Sequence, residues 1–302
     1  MDYFRQTVDS NELGRQEDSV DKPYADLHVH SYYSDGSMSP EEIVDEAVKN
    51  GVGLLAIADH NALEGSKLAG EICHANGIYH IPAVEIDTLD KDGFQHILAY
   101  GFDITNSAFI DFIKHMRFLL DESSVKLIEL MQSDYSVLSL GEFLDYFYDR
   151  RLGGWKGLHY LLEKGVSSTL KEGMGFYSEY GITFNKGGFS TIAATAYRIR
   201  SAGGFSVLAH PCELIDTSDI SYFKDEMKRI ISHGIDGIEC YYPKHTDAVT
   251  QACLEVCDEL DLLITAGSDC HGTFIENRVG EMDIPISKLR LKELSSFLRC
   301  NP

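Results

Sequence analysis

The sequence is short of basic side chains: 26 lysines and arginines stand against 48 aspartates and glutamates, a formal net charge of −22 over 302 residues. A face basic enough to wrap duplex nucleic acid is therefore not expected. The seven cysteines form no Cys-x-x-Cys pair, and the chain has no run of 18 apolar residues. We therefore expect reduced thiols, no signal peptide and no membrane partner, as in a soluble cytoplasmic protein.

Internal repeats and low-complexity segments are also missing from the sequence. The length is enough for one large α/β domain or for one domain with an insertion. Residues 1–22 are polar, acidic and without a hydrophobic pattern. We expect a mobile or loosely docked tail there.

Short apolar runs alternate with amphipathic stretches, a pattern typical of strands followed by helices. In the clearest helix Ser39 is the N-cap, Pro40 takes the first helical position, Glu42 completes a capping box and Gly51 ends the helix. Repeated strand–helix units predict parallel strands with right-handed crossovers, and about seven strands suggest a closed or nearly closed barrel. The predicted strands are 25–30, 53–58, 80–86, 95–100, 205–209, 236–240 and 262–266.

The stretch 103–188 breaks this alternation, because its periodicity is helical throughout. We expect it to be an inserted helical subdomain over one end of a barrel formed by 23–102 and 189–302. An elaborated barrel helix is the alternative. The insertion contains the single tryptophan, Trp155, which is expected to pack in its core or to stack on a base. The predicted helices are 107–132, 139–148, 157–164 and 168–178.

Groups that are costly to bury recur along the predicted strands. The stretch "YADLHVHSYYSDGS" places His28 and His30 on one strand face, because side chains alternate with period two, and then runs into Asp35. Similar residues recur every 25 to 30 positions, about one strand–helix unit, so each is expected at the carboxyl end of a strand, where barrel active sites form. Any single histidine could be an ordinary core or surface residue, but a metal cluster explains all of them together. The motifs are "LHVH", "IADH", "AVE", "FQH", "LAHP" and "GSDCH".

These motifs, in this order between about 24 and 275, resemble those of the PHP (polymerase and histidinol phosphatase) family. The resemblance implies an α/β fold, a distorted seven-stranded β/α barrel, with two to three divalent metal ions. It implies nine metal ligands, all of them present: His28, His30, Asp35, His60, Glu85, His96, His210, Asp269 and His271.

The resemblance also assigns these ligands to separate ions. The first ion would be held by His28, His30, Glu85 and Asp269. The second would share Glu85 and add His96 and His210. The third would take Asp35, His60 and His271.

Mixed nitrogen and oxygen ligands suit Mn²⁺, Zn²⁺ or Fe²⁺ better than Mg²⁺. Two ions that share Glu85 would lower the pKa of a water, and the hydroxide would attack phosphorus in line. Glu85 and Asp269 are therefore the expected catalytic carboxylates. His245, after the sixth strand, could contact phosphate or protonate the leaving group. Its alternative is a surface histidine at the start of a helix.

The helical insertion further resembles the stand-alone PHP phosphoesterases that act on nucleoside 3′,5′-bisphosphates or short oligonucleotides. Those relatives carry a Gly-Arg-Pro-His-like segment, whereas this chain reads "GGWKGLHYLLEKG" without the arginine, and Lys156 is the candidate to replace it. Lys156, Lys186, Arg198 and Lys244 are candidate phosphate contacts, each with solvated surface charge as the alternative.

The sequence thus predicts a metal-dependent phosphoesterase that hydrolyses a small phosphate ester: a nucleotide, a nucleoside bisphosphate or a short oligonucleotide. Histidinol phosphate phosphatase is one alternative, against which the insertion argues. An amidohydrolase-like hydrolase is another, but Glu85 occupies the place of the bridging lysine that such enzymes usually carry. The third is a metal-binding module without activity, against which the intact ligand set argues. The sequence leaves open the metal, the natural substrate and the oligomeric state.

Overall fold

The computed structural model describes residues 23–91, 93–183, 187–275 and 277–299. The predicted tail, 1–22, and the candidate phosphate contact Lys186 lie outside the described residues. None of the helices in the described ranges is long and apolar enough to cross a membrane.

Strands and helices alternate over much of the described chain. The strands are β1 (Tyr24–Val29), β2 (Val52–Ile57), β3 (Tyr79–His80), β4 (Ala83–Asp90), β5 (Gly93–Tyr100), β6 (Phe205–Leu208), β7 (Gly237–Tyr241) and β8 (Leu263–Ala266). The α-helices are α1 (Pro40–Lys49), α2 (Glu64–Ala75), α3 (Ser107–Met131), α4 (Leu140–Asp145), α5 (Lys156–Glu163), α6 (Leu170–Glu179), α7 (Ile192–Ser201), α8 (Ile220–Ile231) and α9 (Asp247–Leu260). The 3₁₀ helices are Arg150–Leu152, Pro211–Glu213, Ile286–Lys288 and Lys292–Leu298.

The described strands form two sheets, one in the order β1-β2-β3 and the other in the order β4-β5-β6-β7-β8. The first sheet is parallel, and β6, β7 and β8 are parallel to one another. β5 is antiparallel to both of its neighbours, β4 and β6. Single bridges join the two sheets, one between Val29 and Cys270 and one between His60 and Glu85.

The α/β class is confirmed, but two finer expectations are not. The eight described strands lie in two sheets, so a single closed seven-stranded barrel is not confirmed. The expectation that all strands are parallel is wrong for β5. Only two residues separate Asp90 from Gly93, which is enough for a hairpin, whereas a parallel connection needs about a dozen residues or more.

Local sequence explains the first helix and the burial of the strand after it. Ser39 and Glu42 form the expected reciprocal capping box at the start of α1. In β2, Leu54 belongs to a core to which strands of both sheets contribute, and the next residue, Leu55, packs with α1 and α2. Both faces of this sheet are therefore covered, as is usual for parallel strands.

The helices predicted between 103 and 188 are present as α3 to α6. The second half of α3 contributes Leu127 and Met131 to a core shared with Phe143 and Tyr160. Its first half packs into the main core, for example through Phe112. α3 therefore connects the helical region to the sheets.

Candidate metal centre

Nine predicted ligands converge at one place between the two sheets. His30, His60, His210 and Asp269 follow the ends of strands, as expected. The strand-end expectation is wrong for the two ligands of the hairpin, because Glu85 and His96 lie within β4 and β5 rather than at their ends. Both strands of the hairpin continue past the residues that face the centre, so Glu85 and His96 project from the middle of their strands.

The first group of ligand atoms surrounds a common point. The His28 and His30 Nε2 atoms are 3.1 Å apart, and each lies 3.2 Å from Glu85 Oε2. Asp269 Oδ1 lies 3.1 Å from His30 Nε2 and 3.5 Å from His28 Nε2. Two ligands about 2.1 Å from one ion and set at octahedral to tetrahedral angles are roughly 3.0 to 3.4 Å apart. The spacing of these four groups therefore fits a metal ion.

Glu85 faces two groups of histidines with its two oxygens. Oε2 lies against His28 and His30 and is 3.3 Å from His60 Nε2. Oε1 lies 3.0 Å from His210 Nε2 and 3.1 Å from His96 Nδ1. This fully buried carboxylate is thus placed to contact two ions at once.

A third group borders the first. His30, Asp35, His60 and His271 each place a ligand atom within 4.8 Å of the others. Asp35 Oδ1 lies 3.4 Å from His271 Nε2 and accepts no hydrogen bond from any described residue. A buried carboxylate oxygen without a donor is costly unless a cation is present. His30 belongs to this group as well as to the first, which the sequence did not predict.

The electrostatics of the centre favour cations. Burial raises the pKa of Glu85, but His60 and His28 outweigh it and hold that pKa well below the usual range. Burial lowers the pKa of His30 and of His96, yet the facing carboxylates raise both to about 10. These shifts favour a charged Glu85 and protonated His30 and His96 in the absence of metal, and metal ions would displace those protons.

Two buried carboxylates that were not predicted as site residues orient the histidines. Glu239 Oε1 lies 3.0 Å from His28 Nδ1, and its Oε2 accepts from the His210 backbone N–H at 2.8 Å. Asp87 Oδ1 lies 3.2 Å from His96 Nε2. Such partners fix ring orientation and raise the basicity of a histidine ligand. A signal for both was present, because Asp87 shares a strand face with Glu85 and Glu239 falls in the repeated spacing.

The backbone around the centre is tight. Asn61, His210 and Asp269 have φ of 46°, 24° and 53°, the left-handed region that costs energy for residues other than glycine. A Cβ on Gly267 would lie 2.2 Å from the Cβ of His28, so only glycine fits there. Such conformations cluster at functional sites, where surrounding structure enforces them.

The loop after β1 is hydrogen-bonded to the buried carboxylate of Asp59. Its carboxylate accepts from the Ser31 backbone N–H and hydroxyl, both at 2.7 Å, and from the Ser34 hydroxyl at 2.6 Å. Asp59 therefore supports the loop between His30 and Asp35.

Two side chains from the segment after β7 reach the edge of the centre. The Tyr242 hydroxyl, which was not predicted, lies 3.2 Å from Asp269 Oδ2. His245 Nδ1 lies 3.0 Å from the Cys240 carbonyl, and its buried Nε2 has no hydrogen-bond partner among the described residues. Burial lowers the pKa of His245.

The described candidate phosphate contacts are engaged elsewhere. Lys156 donates to the Leu144 carbonyl at 2.9 Å and lies over the Phe143 ring, within the helical region. Arg198 lies on the exposed side of α7, over the Phe112 ring. The structure does not bring Lys156 or Arg198 together with the histidine cluster, and Lys244 pairs with Glu213 at 2.9 Å. A packed lysine stem and a cation–π contact account for these positions, which sequence spacing could not reveal.

The loop before α5 touches the third ligand group. The Gly154 N–H donates to the Asp35 carbonyl at 2.7 Å. Gly153 and Gly154 have φ of 69° and 70°, and a Cβ on Gly153 would lie 2.5 Å from Phe274. These two glycines let the helical region approach the loop that carries Asp35.

Side chains with aromatic rings contact the loop before α5 and one another. His159 Nε2 lies 2.7 Å from the Gly153 carbonyl, and its ring stacks on Tyr148 at 4.5 Å. The Trp155 indole N–H donates to the Tyr177 hydroxyl at 2.7 Å. Trp155 is partly buried and packs between helical segments, in line with the packing alternative.

Comparison with known proteins supports this site. The family model described as "PHP domain" matches residues 26–163. The phosphoribosyl 1,2-cyclic phosphate 1,2-diphosphodiesterase of Eggerthella lenta is 28% identical, with 82% of this chain and 94% of the relative covered. A 5′-3′ exoribonuclease of Haemophilus influenzae is also 28% identical, with 82% of this chain and 89% of the relative covered.

A solved structure shares the fold. It belongs to a candidate metal-dependent phosphoesterase of Bifidobacterium adolescentis and superposes with a TM-score of 0.73 at 24% identity, covering 91% of this chain and 97% of that one. Three observations indicate a metal-dependent phosphoesterase: the matched domain, the relatives aligned over most of their length, and the centre of histidines and carboxylates. Residues 26–163 match the PHP domain, and the chain over most of its length is similar to phosphoesterases of this kind.

Proposed function

We propose that this phosphoesterase hydrolyses a small phosphate ester of the nucleotide type, such as a nucleotide, a nucleoside bisphosphate or a short oligonucleotide. The observation that carries the proposal is the Glu85-centred cluster, in which one fully buried carboxylate faces five histidines at 3.0 to 3.3 Å. Its relatives act on a phosphoribosyl cyclic phosphate and on RNA, as their names state.

The residues present fit divalent metal ions. Glu85 Oε2, Asp35 Oδ1 and His210 Nδ1 are buried atoms without a hydrogen-bond partner in the described chain. We propose two to three ions in the three ligand groups, of Mn²⁺, Zn²⁺ or Fe²⁺ character because the ligands mix nitrogen with oxygen. Bound there, such ions supply a water of lowered pKa and neutralise charge on the phosphoryl oxygens.

The chain's own residues have separate tasks in this proposal. Glu85 bridges the first two ligand groups, and Asp269 closes the first group while the Tyr242 hydroxyl fixes its second oxygen. Glu239 holds the tautomer and the plane of His28. The Nδ1–H of His245 donates to the Cys240 carbonyl, so a proton for the leaving oxygen would be carried on Nε2 in the imidazolium form.

We also propose the finer architecture. The single bridges between the sheets support a distorted, incompletely closed barrel formed by 23–102 and 189–302. The separate core shared by Leu127, Phe143 and Tyr160 supports 103–188 as a helical insertion beside the centre. The six described cysteines are free thiols, which supports a reducing, cytoplasmic location.

The test is a hydrolysis assay with purified protein and added Mn²⁺. Adenosine 3′,5′-bisphosphate, a short 5′-phosphorylated oligoribonucleotide, AMP, histidinol phosphate and p-nitrophenyl phosphate are compared at equal concentration. The expected result is metal-dependent hydrolysis with a preference for the first two substrates, measured as phosphate released from the monoesters and as mononucleotide released from the oligoribonucleotide. A protein that releases neither product from any of them, with its metal sites filled, contradicts the proposal.

A further inference from the structure

Asp26 is a buried carboxylate in β1 that belongs to none of the three ligand groups. It forms no ion pair with any described residue, so its partners are hydrogen-bond donors alone. Its Oδ2 accepts from the Ser268 hydroxyl and from the Gly280 N–H, both at 2.7 Å. Its Oδ1 accepts from the Ser268 N–H at 2.9 Å. One side chain thus joins Ser268 to Gly280.

Ser268 and Gly280 are the two ends of a loop that follows β8, and the structure describes this loop except for residue 276. The length falls within the range of about 6 to 16 residues that is typical of Ω-loops, whose ends lie close together. The loop carries Asp269 of the first ligand group and His271 of the third. Asp26 therefore closes the base of a loop that supplies ligands to two groups.

The backbone of Asp269 depends on its neighbours. Its φ of 53° lies in the left-handed region, and such a conformation persists only where the surrounding structure enforces it. The Asp269 N–H donates to the His28 carbonyl at 2.8 Å. The residue before it, Ser268, is held by Asp26 through both its N–H and its hydroxyl. The strand that carries His28 and His30 thus also fixes the backbone on which Asp269 stands.

The orientation of His271 depends in turn on Asp269. His271 Nδ1 lies 2.8 Å from the Asp269 carbonyl, and a carbonyl can only accept a hydrogen bond, so Nδ1 carries the proton. The other nitrogen, Nε2, is left to act as a ligand and faces Asp35 Oδ1 at 3.4 Å. A shift of the Asp269 backbone would therefore turn the ring of His271 as well.

We propose that Asp26 is a positioning residue that holds Asp269 and His271 in place for metal by anchoring both ends of their loop. Asp26 itself contacts neither metal nor substrate in this assignment. The inference rests on the proposed function only through the metal ions that the two ligands would bind. Because one carboxylate fixes both ends of the loop, its loss should weaken the first and the third ligand groups together.

Asp26→Asn tests the anchor with little change in side-chain volume. In either orientation the new NH₂ group faces a backbone N–H, that of Ser268 or that of Gly280. Calorimetric titration of the metal-free protein with Mn²⁺, below the Tm of each variant, is expected to show binding about 10- to 100-fold weaker than in wild type, as for other residues that hold a ligand in place. In the metal-free protein, hydrogen exchange at the amides of Ser268 and Gly280 should become faster.

Ser268→Ala is a milder second variant, because it removes only the hydroxyl that donates to Asp26. It should weaken Mn²⁺ binding by less than Asp26→Asn does. The double variant should lose less affinity than the two single variants summed, since both changes break the same contact. If Asp26→Asn does not fold, the Mn²⁺ affinity of Ser268→Ala decides the question by itself.

Asp236→Asn is the matched control. Asp236 also accepts from the N–H and the hydroxyl of one serine, Ser206, both at 2.9 Å. It lies at the start of β7 beside the start of β6, whereas the ligand His210 follows the end of β6. This variant should bind Mn²⁺ with wild-type affinity even if its Tm is lower.

Two further outcomes separate the inference from the proposed function. Asp26→Asn and Ser268→Ala proteins that bind Mn²⁺ as tightly as wild type, with only a lower Tm, would reduce Asp26 to a stabilising core residue and overturn the inference. A wild-type protein that binds Mn²⁺ but hydrolyses none of the phosphate esters would instead overturn the proposed function, while the anchor could still be measured by metal binding.

Discussion

Replacement of Glu85 by glutamine tests the centre most directly. The change preserves the shape of the side chain but turns one anionic oxygen into an amide nitrogen. Oε1 faces His96 and His210, and Oε2 faces the histidines of the first group, so either orientation of the amide deprives one group of its anionic ligand. Glu85→Gln is therefore expected to lose at least one ion and the activity that depends on it.

The expected loss of metal affinity can be estimated by comparing a direct ligand with a residue that only contacts a ligand. Loss of an outer partner such as Glu239 typically costs about 10- to 100-fold in metal affinity, so loss of a direct ligand should cost more than about 100-fold. At a free metal concentration of 100 times the wild-type Kd, binding stabilises the wild type by about 2.7 kcal/mol. A 100-fold weaker variant gains only about 0.4 kcal/mol, so most of the metal-induced rise in Tm disappears.

Three measurements check this prediction. Elemental analysis counts ions per chain after gel filtration in Mn²⁺, thermal unfolding with and without Mn²⁺ gives the change in Tm, and hydrolysis gives kcat. We expect Glu85→Gln to lower kcat by more than about 1,000-fold, near the upper range for removal of one electrostatic contact to the transition state. Glu239→Gln should fall between this variant and the exposed control Glu41→Gln, which should match wild type.

Full metal content in Glu85→Gln, together with a kcat within tenfold of wild type, would refute the bridging role. Loss of fold would show as a low Tm already in the metal-free protein, and it is therefore distinguished from loss of metal. Glu85 also faces the histidines in the metal-free centre, so the quantity compared is the rise in Tm that metal produces above the metal-free Tm of each protein.

The remaining predictions concern the surroundings of the centre. His245→Gln should lower kcat about 100-fold or more for nucleotide substrates, whose alkoxide leaving groups need a proton, and far less for p-nitrophenyl phosphate, as paired assays would show. Gly154→Ala should reduce metal content by about one ion, measured by elemental analysis, because a left-handed residue that bonds to Asp35 would be strained. Lys156→Ala should leave the ratio of kcat/KM between bisphosphate and aryl phosphate unchanged, because this lysine binds the Leu144 carbonyl. Leu27→Ala should lower the free energy of unfolding by about 2 to 5 kcal/mol in urea titrations, since Leu27 is fully buried.

Several features of the fold and of the site could be predicted because they depend on residues that are close together in the sequence. The capping box of α1 needs only Ser39 and Glu42 at the correct spacing, and both were found. The helices between 103 and 188 followed from their periodicity. The histidines of the centre were recognised because polar groups in apolar strands demand a partner, and because their order matches a known family.

The β4–β5 hairpin shows where this reasoning fails. Glu85 and His96 were predicted to be ligands, yet their strands were expected to be parallel. Strand direction depends on the connection, and the two residues between Asp90 and Gly93 allow only a tight turn. The pairing then places Asp87 opposite His96, which makes Asp87 a partner of that ligand.

The sequence alone determined which residues are chemically able to bind metal, because side-chain type and spacing are local properties. Only the tertiary structure decided which carboxylate oxygen faces which histidine, which cations are already neutralised and which remain unpaired. Lys156 and Lys114 are both ordinary lysines on amphipathic helices, and no local pattern separates them. One contacts a carbonyl of its own helical region, and the other lines a cleft that residues of α2 and α3 border together.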